Sequence, residues 1–149
     1  MRGRLRGCEL KIVKQVDTTD CGIACITMVA KNKFPQLNYR KVKDDMKSCG
    51  CFTNPNDNNF STFPSDLLIA LKKYKIKFSQ PSYYRKINWK FSKNAIVSIR
   101  HRYYKKKKET TFHWVVYDKE KNVVHDPELN KERNRFSRMK IWSYIYVNV

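Results

Sequence analysis

The sequence lacks any long apolar run. No stretch of its 149 residues approaches the roughly 20 apolar residues that a helix needs to cross a bilayer. Residues 1–11 are rich in arginine, but they lack the apolar segment of a secretory signal. These absences predict a soluble, unexported chain in the cytoplasm.

An even set of cysteines is also missing. Five cysteines give no even framework of disulfides, which favours a reducing compartment. Cys49-Gly50-Cys51 has the wrong spacing for a zinc knuckle, and no second pair at knuckle spacing occurs in the sequence. We therefore predict a turn with two reduced thiols, and neither a metal site nor a cofactor.

Acidic residues are few. The chain has 32 Lys and Arg against 13 Asp and Glu, and its formal net charge is +19, so its field attracts anionic partners, including an acidic protein or peptide. Only residues 100–108 interleave aromatic with basic residues, as nucleic-acid binding would require. We interpret that segment as a solvated loop, and nucleic acid as an unfavoured partner.

Apolar spacing divides the chain into a helical first half and a strand-rich second half. Helices are predicted from Cys21, over residues 37–46, and over residues 66–74 after a Ser65 cap, with an irregular segment at 48–64. Strands are predicted at residues 76–79, 95–99, 112–117, 122–126 and 144–149, with a helical turn at 136–142. This order predicts an α+β fold in which N-terminal helices pack on a mostly antiparallel sheet.

A thiol lies at the predicted start of the first helix. Asp20 or Thr19 can cap the backbone donors of a helix that begins at Cys21. The positive end of the helix dipole favours a thiolate there, so Cys21 is a candidate nucleophile. Cys25, one turn further on, is expected to pack in the core. The alternative is that both are ordinary buried cysteines.

A thiolate nucleophile needs a base, and hairpin geometry selects one histidine from His101, His113 and His125. A symmetric hairpin about the turn at residues 118–121 places His113 opposite Asp126, with Cβ atoms about 4.5 to 5.5 Å apart. His125 then faces the other side of the sheet, and His101 has no acid nearby in sequence. The pattern predicts His113 as base and Asp126 as its orienting acid, unless their opposition is accidental.

Two segments carry a family resemblance. The first comprises Gln15, Asp20-Cys21-Gly22, Ala24-Cys25 and Met28, and the second comprises His113-Trp114-Val115-Val116 followed by Val123-Val124-His125-Asp126-Pro127. Together they resemble the bacteriocin-processing peptidases, papain-like domains at the N-terminus of peptide-exporting ABC transporters that remove double-glycine leaders. Weaker similarity at residues 37–43, 66–71 and 95–99 extends the resemblance over most of the chain from Lys11.

The resemblance implies a role for each residue of the site. Cys21 would be the nucleophile, His113 the base, Asp126 the orienting acid and Gln15 the oxyanion donor. It also implies a single papain-like peptidase domain over residues 11–149, after a basic extension at 1–10. The implied partners are a peptide or protein substrate, above all a double-glycine leader, and a transporter subunit at the inner face of the membrane.

Some features depart from that family. Glycine is scarce, with four residues, and the segments at residues 49–59 and 100–111 are unusual for it. The substrate therefore stays open between an exported leader peptide and another protein target of a stand-alone effector or toxin peptidase. A catalytically idle peptide-binding domain of the same fold is the third alternative.

Overall fold

The computed structural model describes residues 10–16, 19–52, 61–83, 91–104, 109–129, 131–133 and 140–149, without the side chains of residues 100–111, 131 and 140. The helices are α1 (Cys21–Lys33), α2 (Tyr39–Ser48) and α3 (Pro64–Lys73). The strands are β1 (Ser82–Tyr83), β2 (Ala95–Tyr104), β3 (Glu109–Asp118), β4 (Val123–Asp126), β5 (Lys131–Arg133) and β6 (Lys140–Tyr146). None of the described helices has both the length and the apolar character needed to cross a bilayer.

The strands form one antiparallel sheet in the order β1-β6-β2-β3-β4-β5. Helix α1 contacts β3 near the middle of this sheet and also contacts α2 and α3. Alternate residues of the central strands contribute to two apolar clusters, and one of these clusters includes the buried residues of the helices. The predicted α+β class is therefore confirmed.

Helix α1 is the central helix of the core. It begins at Cys21, as predicted, and its first ten residues are all buried. A helix buried around its whole circumference is held by packing rather than by one apolar stripe. Of the two predicted caps, Asp20 is wrong as a side-chain cap, because it occupies the N-cap position without a side-chain bond to the helix donors.

Helix α2 begins and ends two residues later than predicted, because its caps fix both ends. The Asn38 side chain accepts the Lys41 backbone N–H at 2.9 Å, which starts the helix at Tyr39. At the other end Gly50 adopts a φ of 77°, and the backbone N–H of Cys51 bonds the Met46 carbonyl. Cys49 and Cys51 are free thiols beside this turn, as predicted.

With Ser65 as its cap, helix α3 would begin at residue 66, but it begins two residues earlier. Pro64 is its first residue, where a missing N–H costs nothing. The Asp66 carboxylate accepts the backbone N–H of Phe63 at 2.7 Å. Asp66 therefore supplies the side-chain bond at the start of the helix that we expected from Ser65. The Ser65 prediction is wrong.

The central hairpin is longer than the sequence indicated. Pairing of β2 with β3 continues beyond an irregularity between Arg100 and Arg102 as far as Tyr104 and Glu109. The backbone of residues 100–104 is therefore strand, which corrects the prediction of a loop there. Residues 105–108 lie outside the described part of the chain.

Other strand predictions need correction at the sheet edges. Residues 76–79 supply only an isolated bridge between Phe78 and Val147. The last strand is β6, which begins at Lys140, so the C-terminal part of the predicted turn at residues 136–142 is extended; residues 134–139 lie outside the described part. Strands β1 and β5 were not predicted, because two or three residues are too short to show a period.

Candidate active site

The first turn of α1 carries Cys21 to strand β3. The Cys21 side chain is nearly buried, with 9% of its surface exposed, and it hydrogen-bonds the ring of His113. His113 itself is 3% exposed. A thiol and an imidazole in contact, shielded from bulk water, are the pair that cysteine-dependent acyl transfer requires.

A carboxylate completes the chain of side chains. The Nε2 atom of His113 lies 2.7 Å from Oδ1 of Asp126, which is fully buried. Asp126 also accepts the backbone N–H of Glu128 at 3.0 Å and lies 3.4 Å from the Arg133 guanidinium. Because Nε2 faces Asp126, the Nδ1 atom of His113 is left to face the thiol of Cys21.

The hairpin reaches this contact in a register that we did not predict. The observed pairs are Val116 with His125 and Tyr117 with Val124, so the register differs by two residues and His113 does not lie directly opposite Asp126. The cause is Asn122, which adopts a φ of 55° and moves the centre of the turn towards the C-terminus. A shift of two residues keeps side chains on the same face, and the two side chains meet diagonally. The predicted register is wrong, whereas the predicted contact is confirmed.

Electrostatics favour a charged imidazole in this position. Burial acts to lower the pKa of His113, but the hydrogen bonds and charges of Asp126 and Cys21 outweigh it and raise the pKa to about 9. Burial acts to raise the pKa of Asp126, yet its bonds to His113 and Glu128 hold that pKa below its usual value. The histidine is therefore protonated and the aspartate ionised at neutral pH.

The backbone of Gln15 is bonded to the segment that carries Asp126. Its N–H donates to the carbonyl of Pro127 at 3.0 Å, directly beside Asp126 in sequence. Its side chain is half-buried. The segment before α1 is thus tied to the segment that carries the acid, so the four predicted site residues come from neighbouring parts of the fold.

The comparison with protein families decides what kind of protein this is. The model of the Peptidase C39 family matches residues 9–147, which is nearly the whole chain. The chain belongs to the Peptidase C39 family. It therefore has a papain-like fold and is a cysteine peptidase, a hydrolase. A search of curated proteins found no match.

Cys25 has no direct part in this C39 peptidase site. It is fully buried in the core, and burial raises the pKa of its thiol well above its usual value, as do the nearby charges of Cys21 and Asp126. A thiol held neutral in the core is a poor nucleophile. Its predicted packing role agrees with its position.

The structure of this C39 peptidase contains a second histidine–aspartate pair. His125 is fully buried on the other face of the hairpin, and its Nε2 atom lies 3.2 Å from Oδ2 of Asp118. Asp118 also accepts the backbone N–H of Lys121 in the turn at 3.2 Å. This pair was not predicted, although Asp118 belongs to the predicted turn at residues 118–121 and His125 to the strand that follows it. The side chain of His101 is outside the described part.

Two more contacts near Cys21 were missed. The indole N–H of Trp114 donates to the carbonyl of Thr62 at 3.1 Å, and the Thr62 side chain lies directly against Gly22. Asp20 is fully buried. Glycine and aspartate beside a candidate nucleophile were visible in the sequence, but their partners are distant along the chain. Among the described residues, no three His, Cys, Asp or Glu side chains are grouped to hold a metal ion.

Proposed function

We propose that this C39 peptidase cleaves peptide bonds with Cys21 as nucleophile, His113 as general base and acid, Asp126 as the group that orients His113, and Gln15 as an oxyanion donor. The observation that carries the proposal is the buried chain of contacts from Cys21 through His113 to Asp126. Such a chain is the general arrangement of an activated nucleophile, its base and an orienting group.

The chemistry proceeds in two halves. In the ion pair of the site the proton already lies on His113, and the thiolate sulfur of Cys21 attacks the carbonyl carbon of the scissile bond. His113 then donates the proton to the leaving amine, and a thioester joins the N-terminal product to Cys21. A water molecule, deprotonated by His113, attacks the thioester and releases the acid product, which restores the Cys21 thiolate beside the protonated His113. Asp126 keeps the ring oriented throughout.

Negative charge on the carbonyl oxygen needs donors during both halves. The side-chain amide of Gln15 and the backbone N–H of Cys21 are the candidates, because a residue at the first position of a helix has an N–H with no partner inside the helix. One such donor contributes roughly 2.7 to 4 kcal/mol in comparable sites. The backbone bond from Gln15 to Pro127 supports this role by holding Gln15 beside the acid segment.

The proposed substrate is the double-glycine leader of an exported peptide. The motifs around Cys21 and His113 support it through their resemblance to bacteriocin-processing peptidases. This proposal includes a cytoplasmic location at the inner face of the membrane and a transporter subunit as partner. A stand-alone peptidase with another protein target is the second candidate, and the unusual segment at residues 100–111 favours it.

The first experiment replaces the nucleophile. Cys21→Ala should keep the far-ultraviolet spectrum and unfolding midpoint of the parent but lose at least about 10³-fold in cleavage of a double-glycine peptide, since losing a nucleophile costs up to about 10⁶-fold in kcat in comparable sites. Cys49→Ala is the matched control, because Cys49 is also a free thiol but lies at the end of α2. Cleavage by the Cys21→Ala variant at the parental rate would overturn the site.

The second experiment separates the substrates. A peptide library is cleaved by the parent, and the residues before the scissile bond are read from the products. A requirement for two small residues there supports leader processing, whereas cleavage without any such preference favours another protein target. If nothing is cleaved and iodoacetamide labels Cys21 no faster than free cysteine at neutral pH, the idle binding domain becomes the better account.

A further inference from the structure

Asp20 is a buried acid that neither the reaction nor the helix cap uses. It immediately precedes Cys21, has no exposed surface, and makes no side-chain bond to the N–H groups of α1. Its carboxylate is turned towards α2. The hydroxyl of Tyr39 donates to Oδ2, the ammonium of Lys43 lies 4.0 Å from the same oxygen, and the hydroxyl of Thr19 lies 3.4 Å from Oδ1.

The cost of burying a carboxylate makes this arrangement informative. A buried carboxylate without partners is strongly unfavourable, so its partners determine where it lies. Here those partners belong to a second helix. Tyr39 is the first residue of α2, and Lys43 lies about one turn later on the same helix. The side chain of the residue before the nucleophile is therefore held by α2, whereas its own helix bonds only its backbone carbonyl, which accepts the Ala24 N–H at 3.0 Å.

We propose that Asp20 is a positioning residue for the nucleophile, tying the first turn of α1 to the first turns of α2 through Tyr39 and Lys43. Cys21 follows Asp20 directly, so a rotation of the Asp20 backbone would swing the sulfur relative to the His113 ring. The proposal rests on the proposed function of Cys21. It adds that the alignment of sulfur and ring depends on a contact between two helices outside the reacting groups.

The chain supplies a matched control for this contact. The hydroxyl of Tyr74 donates to Oδ2 of Asp45 at 2.6 Å, and the ammonium of Lys41 lies 2.8 Å from Oδ1 of Asp45. This second set also joins a tyrosine, an aspartate and a lysine across two helices, since Tyr74 is the C-cap residue of α3 and Asp45 belongs to α2. It differs from the first set in that none of its members adjoins Cys21.

The test compares Tyr39→Phe with Tyr74→Phe. Each variant loses one hydroxyl and one partly buried hydrogen bond to an aspartate but keeps its ring. Their urea unfolding midpoints should fall by similar amounts. Only Tyr39→Phe should lower kcat, by about tenfold or more with KM changed less than about twofold, because small misplacements of reacting groups cost up to about 100-fold.

A second measurement needs no peptide substrate. The rate of Cys21 alkylation by iodoacetamide, followed by mass spectrometry at a series of pH values, should change in Tyr39→Phe and stay parental in Tyr74→Phe. Asp20→Asn should change the alkylation rate in the same direction as Tyr39→Phe. Its amide oxygen can still accept the Tyr39 hydroxyl, but the side chain has no charge to attract Lys43, so the contact with α2 is weakened.

The outcomes are separable. If Cys21→Ala is inactive while Tyr39→Phe and Tyr74→Phe have equal kcat and equal alkylation profiles, the positioning role is overturned and the proposed function stands. If Cys21→Ala cleaves as well as the parent, the proposed function fails first. If Asp20→Asn does not fold, the comparison of the two tyrosine variants still decides.

Discussion

His113 is charged in a nearly buried position, and its contribution to the stability of the fold depends on pH. Its pKa is about 9 in the folded protein, against an ordinary value of 6.5. Because the folded state holds the proton more tightly, the bound proton stabilises the fold. That contribution is complete below about pH 6.5 and is lost as the pH rises through about 9.

We therefore predict that the parent loses more stability than a His113→Gln variant between pH 6.5 and 9. The measurement is the free energy of unfolding in urea for both proteins across that range. Asp126 has a lowered pKa, so its own contribution is lost only as the pH falls through that lowered value, in a separate acidic window. A constant difference between the two proteins across the basic window would contradict the prediction.

The residues of the candidate site could be proposed from the sequence, but not all of their partners could. Cys21 at a helix start and His113 with Asp126 near one turn are local features, so spacing and strand alternation were sufficient. The burial of Asp20 depends on Tyr39 and Lys43, which lie on another helix, and no local pattern predicts how two helices pack. Its acidic side chain suggested a cap because aspartate usually caps a helix.

At the scale of elements, the start of α1 depends on one glycine. A Cβ atom at Gly22 would overlap the hydroxyl of Thr62 and lie 3.0 Å from its Cβ atom. Thr62 is fixed in turn by the bond from Trp114 to its carbonyl, so neither side can move easily. The close approach of the segment before α3 to the nucleophile turn is therefore possible only with glycine.

Gly22→Ala should lower the free energy of unfolding by about 1 to 3 kcal/mol, the usual cost of overpacking a buried site. Thr62→Ala alone should cost little, because the Thr62 hydroxyl has no hydrogen-bond partner among the described residues. The double variant should recover most of the loss. Urea unfolding of the four proteins gives the coupling, and simple additivity would show that the two residues do not collide.

The hairpin shows the limit of prediction at this scale. Its two strands and its face alternation could be predicted from the sequence, but its register depended on whether Asn122 belonged to the strand or to the turn. The left-handed backbone of Asn122 depends on the conformation of the whole turn, because a non-glycine residue rarely adopts it by itself. The contact between His113 and Asp126 survived the error because both registers place them on one face.

At the scale of the whole molecule, the charge of +19 should affect how substrates arrive. A field of this sign speeds the encounter with acidic peptides and slows it with basic ones. Salt reduces this effect, since the screening length is about 10 Å at 0.1 M ionic strength.

The prediction concerns kcat/KM for two peptides that differ only outside the cleaved bond. For an acidic peptide, kcat/KM should fall by about tenfold or more between low and high salt, whereas for a peptide with the acids replaced by amides it should change little. Equal salt dependence for both would show that the charge does not guide substrates, and an equal fall for both would be an effect of salt on the enzyme itself.

The site residues come from opposite ends of the chain, with Gln15 and Cys21 near the start and His113 and Asp126 far beyond them. During synthesis the thiol leaves the ribosome long before its base and acid exist. The proposed site therefore cannot form on the growing chain before β3 and β4 have been made and have joined α1. Cleavage by the proposed site would itself report that the fold is complete.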